Sequence, residues 1–337
     1  MSYRKSKFIE RILTSRRRLA IPIMTSPGIS LLGLKPSEVF KNGELQFACI
    51  EALAKAVKTD AVVTAMDLSV EAEAFGAEIT FSDHENPTVS KRLVSDEQEI
   101  DRLAVPAVGT KRTTETLKCA RLCAANIERP TFGGVIGPFS LSGRLADMTD
   151  MMVLAATEPE VAHKLLAKTT EFLTNYLIAL KQTGIAGAII AEPAAGLLSP
   201  DMCQTFAADY IKQIITAVQD ESFLVVLHNC GKTEKQVEAL LSTGADAIHV
   251  GNAVNILDIL PQVPPTIPVL GNLDPVGVLK NADPDTVYSR TTALLEATAA
   301  FPNYVLSSGC DVPPGVPVAN VQAFLKACSD YNNRFST

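Results

Sequence analysis

Residues 187–231 read GAIIAEPAAGLLSPDMCQTFAADYIKQIITAVQDESFLVVLHNCG, and the order of apolar and helical patterns in this segment predicts the fold class. It opens with a short apolar run at 187–191 and continues through an amphipathic helical pattern at 200–219. A second apolar, β-branched run follows at 223–227. Parallel strands need a long crossover connection, which is usually a helix, so this order predicts a parallel βαβ unit.

The same alternation extends along the chain. Eight apolar runs are predicted as strands, at residues 20–24, 61–66, 132–136, 187–191, 223–227, 247–250, 267–270 and 304–306. The stretches predicted as helices are residues 43–58, 113–126, 158–183, 200–219, 234–242, 285–299 and 318–331. Nearly continuous apolar strands suit a sheet covered by helices. Eight such units predict an α/β fold of the (β/α)8 TIM barrel type, with a doubly wound open sheet as the alternative.

The domain organisation is predicted from the segments that connect these units. No linker or low-complexity segment interrupts residues 1–337, so we expect a single barrel domain. Residues 76–107 break the rhythm, because their short polar and apolar stretches show no clear helix. We interpret them as an insertion after the second strand, with a hairpin as the expected form.

Composition excludes several classes of protein. The net charge is -7, and a nucleic-acid partner would require a basic stripe. No apolar run approaches the roughly 20 residues that span a bilayer, and residues 1–10 lack the apolar core of a signal peptide. Seven cysteines, an odd number in a long chain, argue against a secreted disulfide scaffold. We therefore expect a cytoplasmic protein without membrane or nucleic-acid partners, in which cysteines such as Cys119 and Cys123 are core residues.

Polar residues gather where the predicted strands end, and chemistry in a TIM barrel is located there. His228 and Cys230 follow the run 223–227 two positions apart, so extended backbone would point both to the same side. Cys310 follows the last strand. One imidazole and two thiolates suit zinc, and three protein ligands leave the open position of a catalytic site. The alternative is that the three are unrelated core residues.

Four motifs connect these residues to a known family. They are HNCG at 228–231, LSTGADA at 241–247, GNLDP at 271–275 and GCDVPPGVP at 309–317, with GPFS at 137–140 as a weaker match. Together they resemble the uroporphyrinogen decarboxylase superfamily, and within it the zinc-dependent corrinoid methyltransferases, which include the methylcobamide:coenzyme M methyltransferases. The resemblance covers nearly the whole chain. It implies a (β/α)8 barrel with zinc ligands at His228, Cys230 and Cys310.

The activity implied by the resemblance is transfer of a methyl group from a methylcobamide to a zinc-activated thiol. The corrinoid would arrive on a separate corrinoid protein, for which residues 76–107 offer a docking platform. Coenzyme M, tetrahydrofolate and homocysteine all remain open as acceptors, and a homodimer remains open as the assembly. The coenzyme M enzymes imply an acidic fourth zinc ligand soon after GADA, but residues 248–252 read IHVGN. Glu192, Asn252, His249 or water are the candidates for that position.

Other polar residues at strand ends have weaker predictions. Catalytic or orienting roles are predicted for Asp67, Glu192 and Asp274, and cofactor contacts for Asn272 and Asp311. Asp274, before Pro275, and Asp311, before Pro313, could instead form turns.

Two other classes of function remain. The first is a metal-free decarboxylase, since Asp67 stands where the decarboxylases place their catalytic aspartate. The second is a non-catalytic protein that binds zinc or corrinoid. The decarboxylases also hold their acidic substrate with arginines after the first strand, and residues 24–30, MTSPGIS, contain none.

Overall fold

The computed structural model describes residues 4–335, and it is built around a curled parallel sheet. Nine strands lie within that range. Two of them, β2 Ile79–Thr80 and β3 Thr88–Val89, pair only with each other. The seven strands of the curled sheet run in the order β1-β4-β5-β6-β7-β8-β9, with every neighbouring pair parallel. The strands are β1 Val62–Val63, β4 Thr131–Ile136, β5 Gly187–Ala191, β6 Leu224–Asn229, β7 Ala247–Val250, β8 Val269–Leu273 and β9 Tyr304–Ser308. Because each strand joins the sheet on the same side as its predecessor, the doubly wound alternative is wrong.

An extended segment at residues 19–23 lies beside the last strand. The Ile21 N–H donates to the Leu306 carbonyl at 2.8 Å, and the Leu306 N–H donates to the Leu19 carbonyl at 3.0 Å. On its other side, the Ala20 carbonyl accepts from the Asp60 N–H at 3.0 Å, two residues before β1. The predicted first strand, 20–24, is thus only a single bridge from Ala20 to Leu306. The fold is α/β with a curled sheet of the TIM-barrel type.

Helices cover the outside of this sheet. Those before β5 are α1 Lys5–Thr14, α2 Ser26–Leu32, α3 Pro36–Val39, α4 Gly43–Ala56, α5 Val70–Phe75, α6 Glu97–Arg102, α7 Thr113–Asn126, α8 Pro138–Ala146, α9 Met148–Thr157 and α10 Pro159–Gln182. Those after it are α11 Pro200–Cys203, α12 Asp209–Val218, α13 Val237–Ser242, α14 Ile256–Ile259, α15 Pro284–Ala297 and α16 Val318–Asn333. A π-helical turn, Gln204–Ala208, joins α11 to α12, so the predicted helix at 200–219 is nearly continuous.

The interior of the curled sheet is apolar at one end. Inward residues such as Ile189, Val226 and Val305 form a buried cluster with Phe8 and Ile12 of α1. The buried apolar face of α1 follows from its helical spacing, since residues four apart lie on one face. Since α1 packs at the amino ends of the strands, the polar residues are left to the carboxyl ends.

Residues 76–107 contain a hairpin, as the sequence indicated. The two short strands β2 Ile79–Thr80 and β3 Thr88–Val89 pair antiparallel, and α6 follows. The assignment of this segment as an insertion in one domain stays a prediction. Among residues 4–335, no helix is both long enough and apolar enough to cross a bilayer.

Candidate metal centre

The carboxyl ends of β6 and β9 bring together the three residues predicted as metal ligands. The ligand atoms of His228, Cys230 and Cys310 all lie within 4.8 Å of one another. His228 is the fifth residue of β6, Cys230 directly follows that strand, and Cys310 lies two residues beyond β9. His228 is buried and both cysteines are half-buried, so the cluster is reachable from one side. Their role as ligands stays a prediction.

The geometry and chemistry of this cluster fit zinc. Cys310 Sγ lies 3.6 Å from His228 Nε2. Zinc bond lengths of about 2.3 Å to sulfur and about 2.0 Å to nitrogen place two ligands of a tetrahedral ion about 3.6 Å apart. Soft thiolates together with an imidazole also match the preference of zinc over magnesium or calcium. Three such donors would hold the ion and leave one position for another ligand.

Two glycines let the strand ends approach this closely. A Cβ on Gly251, just after β7, would lie 2.5 Å from Cys230 Cα, and one on Gly309 would lie 2.7 Å from the backbone nitrogen of Asn252. Real Cβ atoms do not approach other heavy atoms so closely, so any larger residue would push the cysteines apart. The cluster therefore depends on backbone packing as well as on its donors.

The thiols of Cys230 and Cys310 are hydrogen-bonded to each other. Hydrogen bonding from Cys310 lowers the pKa of Cys230. The same contact raises the pKa of Cys310, because its proton is held between the two sulfurs. One thiolate is thus favoured before any ion binds, and the thiolate is the form that ligates metals.

A second histidine lies directly behind His228. His249 is paired with His228 in the register of β6 and β7, and the two Nδ1 atoms are 2.8 Å apart. His249 Nε2 lies 2.8 Å from Ser307 Oγ, and that hydroxyl donates to the Ile21 carbonyl at 2.7 Å. Complete burial lowers the pKa of His249 well below 6.5, so its ring is neutral. Since both ring nitrogens are engaged, this histidine is poorly placed to be a fourth metal ligand.

Glu192 caps a helix instead of joining the cluster. Its buried carboxylate accepts from the backbone N–H groups of Phe139 at 2.9 Å and Ser140 at 2.7 Å, and from the Ser140 hydroxyl. These groups belong to the first turn of α8, where an acidic group is stabilised. The carboxylate lies against Gly137, where a side chain would not fit. Burial nevertheless raises the pKa of Glu192 to about 7.

Asp67 lies in a buried ion-pair network. Its carboxylate contacts the Arg112 guanidinium and accepts from the Ser69 hydroxyl at 2.6 Å. Arg112 also donates to Glu73 at 2.6 Å, and its guanidinium lies 4.8 Å from the centre of the Phe81 ring in the hairpin. Those contacts give Asp67 a structural role, and its catalytic role stays a prediction.

The remaining candidates organise loops near the cluster. Asp274 Oδ1 accepts from the N–H groups of Val276 and Gly277 in a turn after β8. Asn272 Nδ2 donates to the carbonyls of Gly251 and Val254, at 2.9 Å each. Asn272 thereby ties the end of β8 to the loop that packs on Cys230.

Asp311, next to Cys310, connects the cluster to the hairpin. Its Oδ2 accepts from Asn86 Nδ2 at 3.3 Å, and Asn86 lies in the turn between β2 and β3. Asp311 Oδ1 is buried and has no hydrogen-bond partner among residues 4–335. Burial raises the pKa of Asp311 to about 7. The hairpin therefore extends over the same edge of the sheet as the cysteines.

A cavity of about 480 Å³ opens beside this edge. It lies between the hairpin, α8 and the loop after β5, and its wall carries three cations, Lys91, Arg92 and Arg144. Gly196, in the same loop, packs against Gly231 next to Cys230. The loop after β5 thus lines the cavity with Pro193, Ala194 and Leu197 and also packs on the segment next to Cys230.

Sequence reasoning missed the partners of the ligands. It weighed His249 only as a ligand and gave Ser307 and Asn86 no specific role. Aligning the carboxyl ends of the runs at 223–227 and 247–250 would set His249 beside Val226, so only the observed register, offset by two residues from that alignment, pairs it with His228. Nothing in the sequence pattern indicates the contact between Asn86 and Asp311, which are 225 positions apart.

Several known proteins are similar to this chain in sequence, in fold or in both. The methylcobamide:CoM methyltransferase MtbA of Methanosarcina mazei is 28% identical over 299 residues, covering 87% of this chain and 86% of that protein. A uroporphyrinogen decarboxylase of Legionella pneumophila is 24% identical, covering 82% and 80%. A solved methyltransferase from Methanosarcina mazei superposes with a TM-score of 0.86 over 98% of this chain and 99% of that one, at 20% identity. The family model of uroporphyrinogen decarboxylase (URO-D) matches residues 26–331. The chain therefore belongs to the uroporphyrinogen decarboxylase family.

Proposed function

We propose that this protein is a zinc-dependent methyltransferase that moves a methyl group from a methylated corrinoid to a thiol. The observation that carries the proposal is the cluster of His228, Cys230 and Cys310 at the carboxyl edge of the sheet. Similarity to a methylcobamide:CoM methyltransferase over most of both chains supports the same reaction. A closed (β/α)8 barrel, with residues 19–23 as its first strand, is part of the proposal.

Each residue of the cluster has a defined role in the proposed reaction. The imidazole of His228 and the thiolates of Cys230 and Cys310 would hold the zinc. When bound, zinc would deprotonate a thiol and keep its sulfur electron-rich. A methylated corrinoid would supply the methyl group to that sulfur, with the electron pair of the broken Co–C bond left on cobalt and the thiol proton released to solvent. Two thiolates and a neutral imidazole leave the loaded site near neutral, so the substrate thiolate would make it anionic.

The charged residues that line the cavity narrow the choice of methyl acceptor. Lys91, Arg92 and Arg144 line the cavity together with Asp147. Lys91 pairs with Glu78 and Arg92 with Asp150, whereas Arg144 forms no ion pair within the part of the chain that the structure describes. A thiol with an anionic end, such as coenzyme M, matches this charge, and the similar MtbA carries CoM in its name. Residues 248–252 provide no carboxylate, so Asn252 or water is proposed for the fourth metal position.

The methyl donor is proposed to arrive on a corrinoid protein. A corrinoid is too large for a cavity of about 480 Å³, so it would approach across the open edge of the sheet. The hairpin lies at that edge, because Asn86 contacts Asp311 beside Cys310. The segment 76–107 is therefore the proposed docking platform, in a protein that we expect to be cytoplasmic.

A decarboxylase without a metal is less well supported. Asp67, its predicted catalytic residue, is paired with Arg112 and Ser69. Residues 24–30 supply no arginine for an acidic porphyrinogen, and the basic cavity is lined from the hairpin and α8 instead.

A transfer assay tests the proposal. The purified protein with one zinc per chain is mixed with methylcobalamin and coenzyme M, homocysteine or tetrahydrofolate, and loss of the methylcobalamin absorbance is followed. We expect thiol methylation that stops after chelation and returns with zinc. Cys230→Ser should abolish it, whereas Cys123→Ser, at a buried helical cysteine, should not. Absence of zinc-dependent transfer to coenzyme M and homocysteine, or transfer to tetrahydrofolate alone, would overturn the proposal, and carbon dioxide release from a porphyrinogen would favour the decarboxylase.

A further inference from the structure

The buried groups behind His228 form one continuous hydrogen-bonded chain. It runs from the Ile21 carbonyl through Ser307 Oγ and both nitrogens of His249 to His228 Nδ1, with contacts of 2.7, 2.8 and 2.8 Å. His249 and Ser307 are each 0% exposed, and His228 is 2% exposed. Because solvent reaches none of these contacts, the donor and the acceptor of each hydrogen bond in the series can be worked out.

The assignment of donors and acceptors begins at the Ile21 backbone carbonyl. The Ile21 carbonyl can only accept, so the single hydroxyl proton of Ser307 points to it. Ser307 Oγ must then accept from His249 Nε2, which therefore carries a proton. Besides His228 and the Ser307 hydroxyl, the His249 ring lies against the Ser308 and His249 backbone carbonyls. None of these partners is an anion, so burial favours the neutral ring. A neutral ring protonated at Nε2 has a bare Nδ1.

The bare Nδ1 of His249 decides the state of the metal ligand. It can only accept, so the proton of the 2.8 Å contact belongs to His228 Nδ1. The His249 carbonyl, 3.3 Å from the same nitrogen, can also only accept and adds to this preference. His228 Nε2 is then left with a free lone pair, and this is the nitrogen that lies 3.6 Å from Cys310 Sγ.

We propose that His249 and Ser307 are positioning residues that hold His228 in the Nδ1–H tautomer, with Nε2 ready to bind the metal. Outer partners of metal-bound histidines commonly fix ring orientation and tautomer in this way. A neutral histidine in this role adds no charge, whereas a carboxylate there would make the loaded site more anionic. The inference rests on the proposed zinc site, but it concerns the protonation of this chain's own side chains.

The packing of the strands explains why this series of hydrogen bonds ends at the backbone carbonyl of Ile21. His228 and His249 are register partners on adjacent strands, and Ser307 lies on β9, next to the segment 19–23. The segment that lies beside β9 thus also supplies the terminal acceptor. The orientation of the metal ligand is in this way coupled to the contact between residues 19–23 and β9.

The first test reads the tautomers directly. The chain has four histidines, so 15N-histidine labelling gives a tractable spectrum of two-bond 15N–1H couplings. We expect His228 as the Nδ1–H form and His249 as the Nε2–H form in the wild-type protein, with and without zinc. Assignment uses His84→Gln and His163→Gln, which lie outside the cluster. His228 protonated at Nε2 in the zinc-free protein would overturn the inference.

The second test measures zinc affinity by competition with a chromophoric chelator. His249→Phe keeps the ring volume but removes the acceptor, and it should weaken zinc binding by about 10- to 100-fold. His249→Asn places an oxygen near the former Nδ1, so it should bind more tightly than His249→Phe. Ser307→Ala should also weaken binding. Ser308→Ala is the matched control, because Ser308 Oγ accepts from the Ile23 N–H on the same strand but does not contact the histidines.

These outcomes separate the two proposals. If the wild-type protein does not bind zinc, the proposed function fails, while the tautomer spectrum still tests the inference. If the wild type binds zinc and His249→Phe and Ser307→Ala bind it equally well, the inference fails and the zinc site stands. Should His249→Phe not fold, Ser307→Ala and the wild-type spectrum give the answer, and cobalt substitution reports a distorted site through its visible d–d bands.

Discussion

Cys310 Sγ lies 3.6 Å from His228 Nε2, although 82 positions separate the two residues in the chain. This contact joins the ends of two strands, β6 and β9, that are separated in the sheet by β7 and β8. Curling of the sheet, rather than sequence proximity, is what assembles the donors.

The first prediction concerns metal binding. Cys310→Ala removes one donor of the cluster, and we expect it to lower zinc affinity by more than about 100-fold, beyond the effect of an outer partner. Zinc per chain is measured by mass spectrometry after gel filtration. Cys119→Ala, at a buried cysteine of α7, should keep the wild-type stoichiometry. Full zinc occupancy in Cys310→Ala would show that Cys310 is not a ligand.

The second prediction concerns Glu192 as a helix cap. Glu192→Ala leaves the first-turn N–H groups of α8 without acceptors in a buried place, so the free energy of unfolding should fall by about 2–4 kcal/mol. Asp283→Ala removes an exposed cap of α15, bonded to the Thr286 N–H, and should cost about 1 kcal/mol. Urea denaturation of both variants provides the comparison. A Glu192→Ala protein that loses zinc without losing stability would assign the carboxylate to the metal site.

The third prediction is a pH dependence of stability that originates at Glu71. This buried carboxyl accepts from the Ile136 N–H at 3.1 Å, its Oε2 has no hydrogen-bond partner within residues 4–335, and burial raises its pKa to about 8. The folded-state pKa lies above the unfolded one, so the contribution is full below pH 4.5 and is lost as the pH rises through 8. Stability should fall by about 1 kcal/mol per pH unit across this window.

Glu71→Gln isolates that contribution. The amide stays neutral and keeps an acceptor for the Ile136 N–H, so the free energy of unfolding should vary less between pH 5 and 8 than in the wild type. Above pH 8 the variant should be the more stable protein. Glu85→Gln, in an exposed bend, serves as the control and should keep the wild-type slope. An unchanged slope in Glu71→Gln would mean that Glu71 is ionised in the folded protein.

The fourth prediction concerns the ion pair of Asp67 and Arg112. Asp67→Asn leaves a buried guanidinium with only Glu73 as an ionic partner, and we expect a loss of about 3 kcal/mol in the free energy of unfolding. Asp150→Asn, in the exposed pair with Arg92, should change it by less than about 1 kcal/mol. Thermal and urea unfolding measure both. If Asp67→Asn is as stable as wild type but inactive, Asp67 acts in the reaction rather than in the fold.

The sequence was sufficient for the order of the parallel strands and for the three residues that cluster at their carboxyl ends. Alternating apolar runs and helical patterns predicted seven of the parallel strands in order, because burial and periodicity are local properties. His228, Cys230 and Cys310 were found because the ends of parallel strands meet at one edge. The first predicted strand was overestimated, since residues 20–24 are apolar but form only one bridge.

Only the tertiary structure decided what each polar residue contacts. Glu192, Asp67 and Asp274 all follow strands, yet the structure engages them with a helix end, an arginine and a turn. His249 differs from an ordinary core histidine only through its 2.8 Å contacts to His228 and Ser307. The sequence alone determined which chemical groups lie at the carboxyl edge, because strand periodicity places them there. The direction of each hydrogen bond depends on distances across strands, and those distances exist only once the sheet has curled.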